Sequence, residues 1–366
     1  MNKPKNILII RTDRIGDVIL SLPMASIIKK HFPDCKVTFL LREYTKSLVQ
    51  NNPYIDEVIT LIEENGKPSI SKNIFQLKNK FDVSVVAYPT YSIALILFLS
   101  NIKERVGTGY RWYSFLFNKK VYEHRKYGER HELEYNIHLL QQFGIDEKVN
   151  EENVLFGISP SRENLETIKN ELITLGIDFA KQIIIVHPGS GKSAVDLPIE
   201  KMRAIVKSLP QETIEILITG SRDEQELCQS LVVNSSTKNL AGKFNLGELT
   251  ALIDQADLMI ANSTGPIHIA AALGKHVIGF YPKFNAVSPK RWGPYTTKKK
   301  IFSPTIDCNN CTRKQCEKLN CMDSISVKEV TAAVKNILQK IKLLRRKDEI
   351  FERIDHDKDH EHEHDE

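Results

Sequence analysis

The stretch NILIIRTDRIGDVILSLP, residues 6–23, decides how the chain is read. NILII has the length and composition of a short buried strand. A charged turn follows, RTDRIGD, with one glycine, two arginines and two aspartates. DVILSLPMASIIKKHFP then spaces its apolar residues as a helix does, and KVTFLL (36–41) is a second strand. Strand, turn, helix and strand in that order make the βαβ unit of a parallel sheet with helices on both faces. A nucleotide-binding sheet usually enters its first turn through glycines. Here charge replaces them, so the tip of the first strand is a candidate for chemistry and not only for phosphate binding.

Outward from that stretch the rhythm continues. VSVVAY (83–88) is a third strand, and IALILFLS (93–100) and ELEYNIHLLQQFGI (132–145) are helices. A polar, helical break covers roughly 150–180, and then the pattern restarts. QIIIVHPGSG (182–191), IEILITGS (214–221), ADLMIANSTG (256–265) and HVIGFY (276–281) are strands that run into turns, with helical segments between them. Two doubly wound units are expected, 1–160 and 180–335. Residues 336–366 carry the end of an amphipathic helix and an acidic, histidine-bearing tail. The tail has too little apolar surface to fold and is expected to be disordered.

Composition narrows the class. The chain has 366 residues, 41% hydrophobic and 27% charged, as ordinary globular proteins do. No run approaches the ~20 apolar residues of a membrane span. MNKPK leads straight into a strand pattern without a signal segment, so the protein is read as cytoplasmic. The formal charge is +5, but the last twelve residues carry −6, which leaves +11 on the body. A basic body suits an anionic partner such as a nucleotide, a phosphorylated sugar or an acidic lipid surface. The basic residues are dispersed over both halves, which makes a nucleic-acid partner the weakest option. There is no G-x-G-x-x-G after a strand, no P-loop and no G-x-S-x-G elbow.

Three strand-end turns in the second half converge on one chemistry. In ANSTGPIHIAAALG, Ser263, Thr264 and Gly265 stand where a strand passes into a helix, with Pro266 in the first turn and His268 behind it. Free N–H groups and the positive end of the helix dipole suit a diphosphate there. An ordinary capped helix with a core histidine is the plainer alternative. In VHPGSGK, Gly189 and Gly191 allow close backbone approach, and Ser190, Lys192 and Ser193 offer donors. In ITGSRDEQE, Glu224 is placed to accept from a ribose or base. Three such turns at the carboxyl edge of one sheet mark a nucleotide crevice.

These stretches, together with LAGKFNLGELTALIDQ (240–255) and RWGPY (291–295), resemble glycosyltransferase family 9, the bacterial heptosyltransferase group, in order over the chain to about residue 335. The resemblance implies a GT-B fold: two Rossmann-like domains facing across a cleft. The first domain would hold the acceptor and the second the nucleotide-sugar donor. The last helix would cross back onto the first domain. It implies an inverting transfer of a sugar, heptose from ADP-heptose, onto a lipopolysaccharide core or related surface-glycan acceptor. The protein would touch the inner face of the inner membrane peripherally, with KIKLLRRK favouring that contact.

By the same resemblance Asp17 is the base that takes the proton from the acceptor hydroxyl. Asp13 is its rival, and N-capping of the next helix is the structural alternative for Asp17. Gly16 brings backbone to the cleft. Arg11 and Arg14 neutralise the diphosphate or hold an acidic acceptor. Arg105 and Arg111, with Lys119 and Lys120, belong to a basic, aromatic segment (103–132) that lines the acceptor side or forms a solvated basic face. Gly189, Ser190, Gly191, Lys192, Glu224, Ser263, Thr264, Gly265 and His268 form the donor set.

The chain departs from the better-known heptosyltransferases in two places. Their lysine before a Trp-Pro pair is replaced by Val195 or displaced to Lys192, and their Asp before Thr-Gly is Ser263. Cys308, Cys311, Cys316 and Cys321 form a cluster that is either a structural zinc site or a set of packed thiols. No cofactor or metal is expected in catalysis, because no D-x-D occurs in the donor half. A sugar-nucleotide epimerase of the same architecture and a non-catalytic nucleotide-sugar-binding protein are the alternatives.

Overall fold

The computed structural model describes residues 4–306 and 311–361; Lys126 and residues 346–361 are described by their backbone alone. Its frame is two six-stranded, all-parallel sheets. The first half supplies β1 (Asn6–Ile10), β2 (Lys36–Leu41), β3 (Glu57–Thr60), a small hairpin of β4 (Glu63–Glu64) and β5 (Lys67–Pro68), β6 (Val83–Val86), β7 (Glu104–Thr108) and β8 (Lys119–Val121). The second half supplies β9 (Gln182–His187), β10 (Ile214–Ile218), β11 (Thr237–Asn239), β12 (Leu258–Asn262), β13 (His276–Phe280) and β14 (Lys299–Phe302).

The sheets run β3-β2-β1-β6-β7-β8 and β11-β10-β9-β12-β13-β14. Leaving the hairpin aside, each half has the same order, with its first strand beside the point where the direction of winding reverses. Doubly wound sheets open a ligand crevice at that point, beyond the carboxyl ends of the strands.

The helices are α1 (Ile15–Ile19), α2 (Pro23–His31), α3 (Ile70–Leu77), α4 (Tyr91–Leu99) and α5 (Glu132–His138) in the first half. They continue as α6 (Arg162–Thr174), α7 (Ile199–Ser208), α8 (Gln225–Gln229), α9 (Leu246–Gln255), α10 (Gly265–Ala272), α11 (Pro289–Trp292), α12 (Arg313–Lys318) and α13 (Val327–Glu361).

Strand alternation sorts the core. Ile7 and Ile9 of β1 face inward to a cluster that also holds Ile183 and Ile185 of β9, so one core runs through both halves. Leu8 and Ile10 face a separate layer under α3 and α4. Ile184 and Val186 face a third layer. Period-two alternation with both faces buried is what a central parallel strand requires.

Three expectations need correction. The helix read across residues 17–33 is two helices: Pro23 sits in the first turn of α2, where its missing N–H does no harm, and cannot continue α1. The short strands β3, β7, β8, β11 and β14 were not legible as strands. As far as its side chains are described, the last helix stays on its own half: Val330, Val334 and Leu338 of α13 pack into the layer over the second sheet, and the Gln182 side-chain amide donates to the Leu338 carbonyl at 2.9 Å. Arg345 of the same helix pairs with Asp257 of the second half at 2.6 Å.

The two halves meet through α1 and α10. A Cβ on Gly16 would lie 2.7 Å from the His268 ring, and one on Gly265 would lie 2.8 Å from Cβ of Ile15. Each glycine thus admits the other helix's first turn, and any side chain there would force the halves apart. Among the described residues no helix is long and apolar enough to cross a membrane.

Candidate functional site

Two cavities open at the carboxyl edges of the sheets. The larger, roughly 670 Å³, lies between the halves. Its walls come from three strand-end turns: Ser190 and Gly191 after β9, Gly220 to Glu224 after β10, and Ser263 to His268 after β12. Arg14, Gly16, Asp17 and Tyr44 close it from the first half, with Phe244 and Asn245 from the loop before α9 and Leu246 from its first turn.

These turns are tied to one another. Buried Asn262 accepts from the Leu197 N–H at 2.9 Å and donates to the Pro188 carbonyl at 2.5 Å, which fastens the β9 turn to β12. The Ser193 hydroxyl lies 2.7 Å from the Ser190 carbonyl and 3.0 Å from that of Ser263. A Cβ on Gly189 would collide with the Glu224 carboxylate, so only glycine lets that carboxylate approach. Glu224 accepts from the Ser221 N–H at 2.8 Å and hydroxyl at 2.9 Å, in a capping box.

Thr264 holds the N-cap position of α10 without a side-chain cap bond. The first turn of this eight-residue helix is therefore not capped by the Thr264 side chain, and Thr264, Gly265 and Pro266 line the cavity. Behind them, burial pushes His268 down to about 3, with His131 acting in the same direction, so its imidazole is neutral. His187, whose Nδ1 lies 2.9 Å from the Thr219 hydroxyl, is pushed by burial to about 4. Asp196 is raised by burial to about 6; one of its oxygens accepts from the Ser190 N–H at 3.3 Å, while the other is buried without a hydrogen-bond partner among the described residues.

The smaller cavity, roughly 550 Å³, belongs mainly to the first half. Arg11 leaves β1 and is almost wholly buried. Its guanidinium donates to both oxygens of Asp13 at 2.7 and 2.9 Å, contacts Asp17, and reaches Asn136 at 3.2 Å and Glu132 at 3.4 Å. Glu132, in the first turn of α5, is also met by Arg125 at 2.5 Å and by Arg291 from the second half at 3.1 Å. Burial alone would raise the Glu132 carboxyl, but Arg125, Arg11 and Arg291 outweigh it and hold the group at about 2. Asp17 goes the other way. Burial raises it, Arg11 opposes, and the negative charges of Asp13 and Glu132 add to the rise, leaving it at about 7.

Asp17 does not N-cap α1. Arg14 holds that position, and Asp17 stands in the first turn with its side chain turned to Arg11. Asp17 and Trp292 are the two residues that line both cavities. The carboxylate is thus at the wall where the two chambers meet.

The structure brings most of the expected set together. Ser190, Gly191, Glu224, Ser263, Thr264, Gly265 and His268 line the larger cavity with Arg14 and Gly16, while Arg11, Asp13 and Arg111 line the smaller. Gly189 acts from behind, through Glu224. Lys192 is exposed, in the left-handed region at φ +62°, and lines neither cavity; its carbonyl accepts from Arg313 at 2.7 Å. Arg105 also lines neither. Its guanidinium donates to the carbonyls of Leu116 (2.8 Å) and Ile102 and sits 5.3 Å from the Phe98 ring centre. Lys119 and Lys120 lie outside as well.

Cys308 lies outside the described residues, so the four-cysteine site is not seen whole. Cys316 and Cys321 are buried beside Phe284, and among the described residues no group of three or more His, Cys, Asp or Glu side chains could hold a metal ion.

Sequence reading missed Glu132, Arg125, Tyr44 and the role of Arg291. A signal existed for Glu132: it stands four residues before Asn136, so two polar residues share one face of α5, and both are buried there.

The family model described as glycosyltransferase family 9 (heptosyltransferase) matches residues 71–322. The chain is 30% identical over 299 residues to a Haemophilus influenzae protein whose name goes no further than glycosyltransferase, covering 79% of this chain and 86% of the relative. It is 26% identical over 297 residues to lipopolysaccharide heptosyltransferase 3 of Escherichia coli, covering 77% of this chain and 84% of the relative. The solved structure of E. coli ADP-heptose lps heptosyltransferase II superposes with a TM-score of 0.75 at 18% identity, over 92% of this chain and 99% of that one. That likeness is one of fold, and with it the paired sheets are those of a GT-B architecture.

Proposed function

The chain belongs to glycosyltransferase family 9, and from that premise we propose that it moves heptose from ADP-heptose to a lipopolysaccharide core or related surface-glycan acceptor with inversion at the anomeric carbon. The observation that carries this reading is the position of Asp17 at the wall common to both cavities.

In this reading residues 180–335 are the donor side and 1–160 the acceptor side. The nucleoside diphosphate lies in the larger cavity with its phosphates at the first turn of α10, near Thr264 and Gly265, and its ribose or base toward Glu224. The acceptor enters through the smaller cavity. Asp17 takes the proton from the acceptor hydroxyl as that oxygen attacks the anomeric carbon. The bond from that carbon to the diphosphate oxygen breaks, and ADP leaves with the electron pair.

The N–H groups of α10 and the Arg14 guanidinium stabilise the departing charge, so the reading needs no catalytic metal. Arg11 orients the Asp17 carboxylate. The buried, neutral His268 packs behind the helix start that receives the diphosphate. The enzyme works as a peripheral protein at the inner face of the inner membrane. A structural zinc on Cys308, Cys311, Cys316 and Cys321 is a separate proposal, checked by metal analysis of the purified protein.

The test is a donor panel. ADP-heptose, UDP-sugars and GDP-sugars are each offered with and without a lipopolysaccharide core acceptor, and nucleotide release and product stereochemistry are followed. Acceptor-dependent release of ADP with inverted product is expected. Turnover of the nucleotide sugar without acceptor would replace this reading with an epimerase, and binding without turnover would leave a nucleotide-sugar-binding protein.

A further inference from the structure

Exposed aromatic side chains are concentrated in one stretch of the first half. Among the described residues eleven aromatic side chains are strongly exposed, and seven of them lie between Tyr88 and Tyr122. Trp112 is 73% exposed and Phe115 68%. Large apolar groups this open on a rigid surface usually mark an interaction site.

The surface is rigid because the same loop buries its alternate residues. Tyr113, Leu116 and Phe117 pack into the layer under α4. The Tyr113 hydroxyl donates to the Pro89 carbonyl at 2.7 Å, and that of Ser114 to the Thr108 carbonyl at 2.6 Å. Trp112 stacks on Tyr91 at 4.9 Å between ring centres, which holds it pointing outward. Phe115 has no polar atom with which to grip a sugar, and it lies beyond the cavity walls.

The charge of this stretch is mostly of one sign. Between residues 99 and 122 there are five basic residues and a single acid, Glu104. Lys103, Arg111, Lys119 and Lys120 make no ion pair with any described residue. Tyr110 and Arg111 line the smaller cavity, and the loop runs directly on from them to Trp112 and Phe115. Aromatic rings among unpaired lysines suit the boundary of an anionic bilayer, where the rings enter the headgroup level and each cation near the surface contributes about 1 kcal/mol.

We propose that the segment 110–122, through its exposed Trp112 and Phe115 and its unpaired Lys119 and Lys120, docks the protein on an anionic lipid surface, with the mouth of the smaller cavity turned toward the membrane. This rests on reading that cavity as the site of a lipid-anchored acceptor. It moves the membrane contact from the KIKLLRRK segment of α13 to the first half.

The experiment uses the full chain and vesicles without glycolipid acceptor, either phosphatidylcholine alone or phosphatidylcholine with phosphatidylglycerol. Co-sedimentation is measured for wild type, Trp112→Ser with Phe115→Ser, and Lys119→Glu with Lys120→Glu. Wild type is expected to bind the anionic vesicles and to be released by salt. Each double variant is expected to lose about tenfold or more in affinity.

Transfer to a water-soluble, delipidated acceptor is measured in parallel and is expected to stay unchanged in both variants. Wild-type binding that is absent, or equal in all three proteins, overturns the proposal, as does loss only on changing the lysines and arginines of α13. Loss of soluble-acceptor transfer in the aromatic variant would assign the face to the saccharide instead. Vesicle binding with no transfer by wild type to any acceptor would overturn the proposed reaction and leave the docking face standing.

Discussion

The two halves share a strand order and differ in what they place at the end of the first strand. β1 runs out into Arg11, Asp13 and the exposed Arg14, and the buried Arg11 is met by Asp13, Asp17 and Glu132. β9 runs out into His187, Pro188, Gly189 and Ser190, with small residues, hydroxyls and a neutral imidazole. Glycines in the second half make room: Gly189 for Glu224 and Gly265 for the facing helix. The first half fills the equivalent space with a charge network. Topology alone therefore assigns both crevices as ligand sites, and the division proposed above, a diphosphate on one side and a proton transfer on the other, rests on the loop chemistry.

The sharpest way to break that division is Asp17→Asn. Transfer is expected to fall by roughly a hundredfold to ten-thousandfold, the usual range for removing a general base. ADP binding, measured by calorimetry, should stay within about threefold, since the donor-side turns are untouched. Equal loss of both would place Asp17 with the donor and undo the comparison. Gly265→Val comes next, because its Cβ would fall 2.8 Å from that of Ile15 and push the halves apart. Both ADP affinity and transfer should drop, with kcat/KM down about a hundredfold, the scale of an ångström-sized misplacement of reacting groups. A far-ultraviolet spectrum like that of wild type would confirm that each half still folds.

Glu132→Gln tests the link between the halves, since Glu132 joins Arg11 of one to Arg291 of the other. The charges that face Asp17 are Arg11, Asp13 and Glu132. With Asp17 at about 7, kcat/KM should rise with pH through neutrality as the carboxylate loses its proton. The negative charge of Glu132 raises Asp17, so its removal should move the rise toward acid. A shift toward alkali would contradict the network. The same variant leaves buried arginines without their counter-charge and should cost about 3 kcal/mol in denaturant melts.

How much of this could be read beforehand follows from periodicity and spacing. β1, β2, β6, β9, β10, β12 and β13 are apolar because they are buried on both faces, and such runs stand out. β3, β7, β8, β11 and β14 are short and lie toward or at the sheet edges, and β7 (ERVGT) and β11 (TKN) carry polar residues that hide them. The three turns that line the larger cavity were legible as strand-end turns because glycine, proline and hydroxyl residues act locally. Glu132 was only faintly legible and Arg125 was not, because Glu132 takes its meaning from Arg11, 121 positions away, and Arg125 takes its own from Glu132. In the sequence Arg105 reads as lining the acceptor side or standing on a solvated basic face, and only the fold reveals the two carbonyls that occupy it.

The smallest expected effect is at Lys192, where sequence and structure part within the donor set. A lysine after HPGSG is placed to reach a phosphate, and the family's usual lysine is missing at position 195. The structure instead turns Lys192 outward, with its backbone in the left-handed region and its carbonyl bound to Arg313. The backbone of this residue holds the turn, and the side chain is left in solvent. Lys192→Ala should then change the KM for the donor by less than about twofold, the size expected for a screened surface charge. Salt should reduce even that. A rise of tenfold or more, insensitive to salt, would mean that the turn rearranges on binding and that the ammonium enters the cavity. The second half would then carry a charge at its first-strand exit after all, and the contrast with β1 would be one of degree.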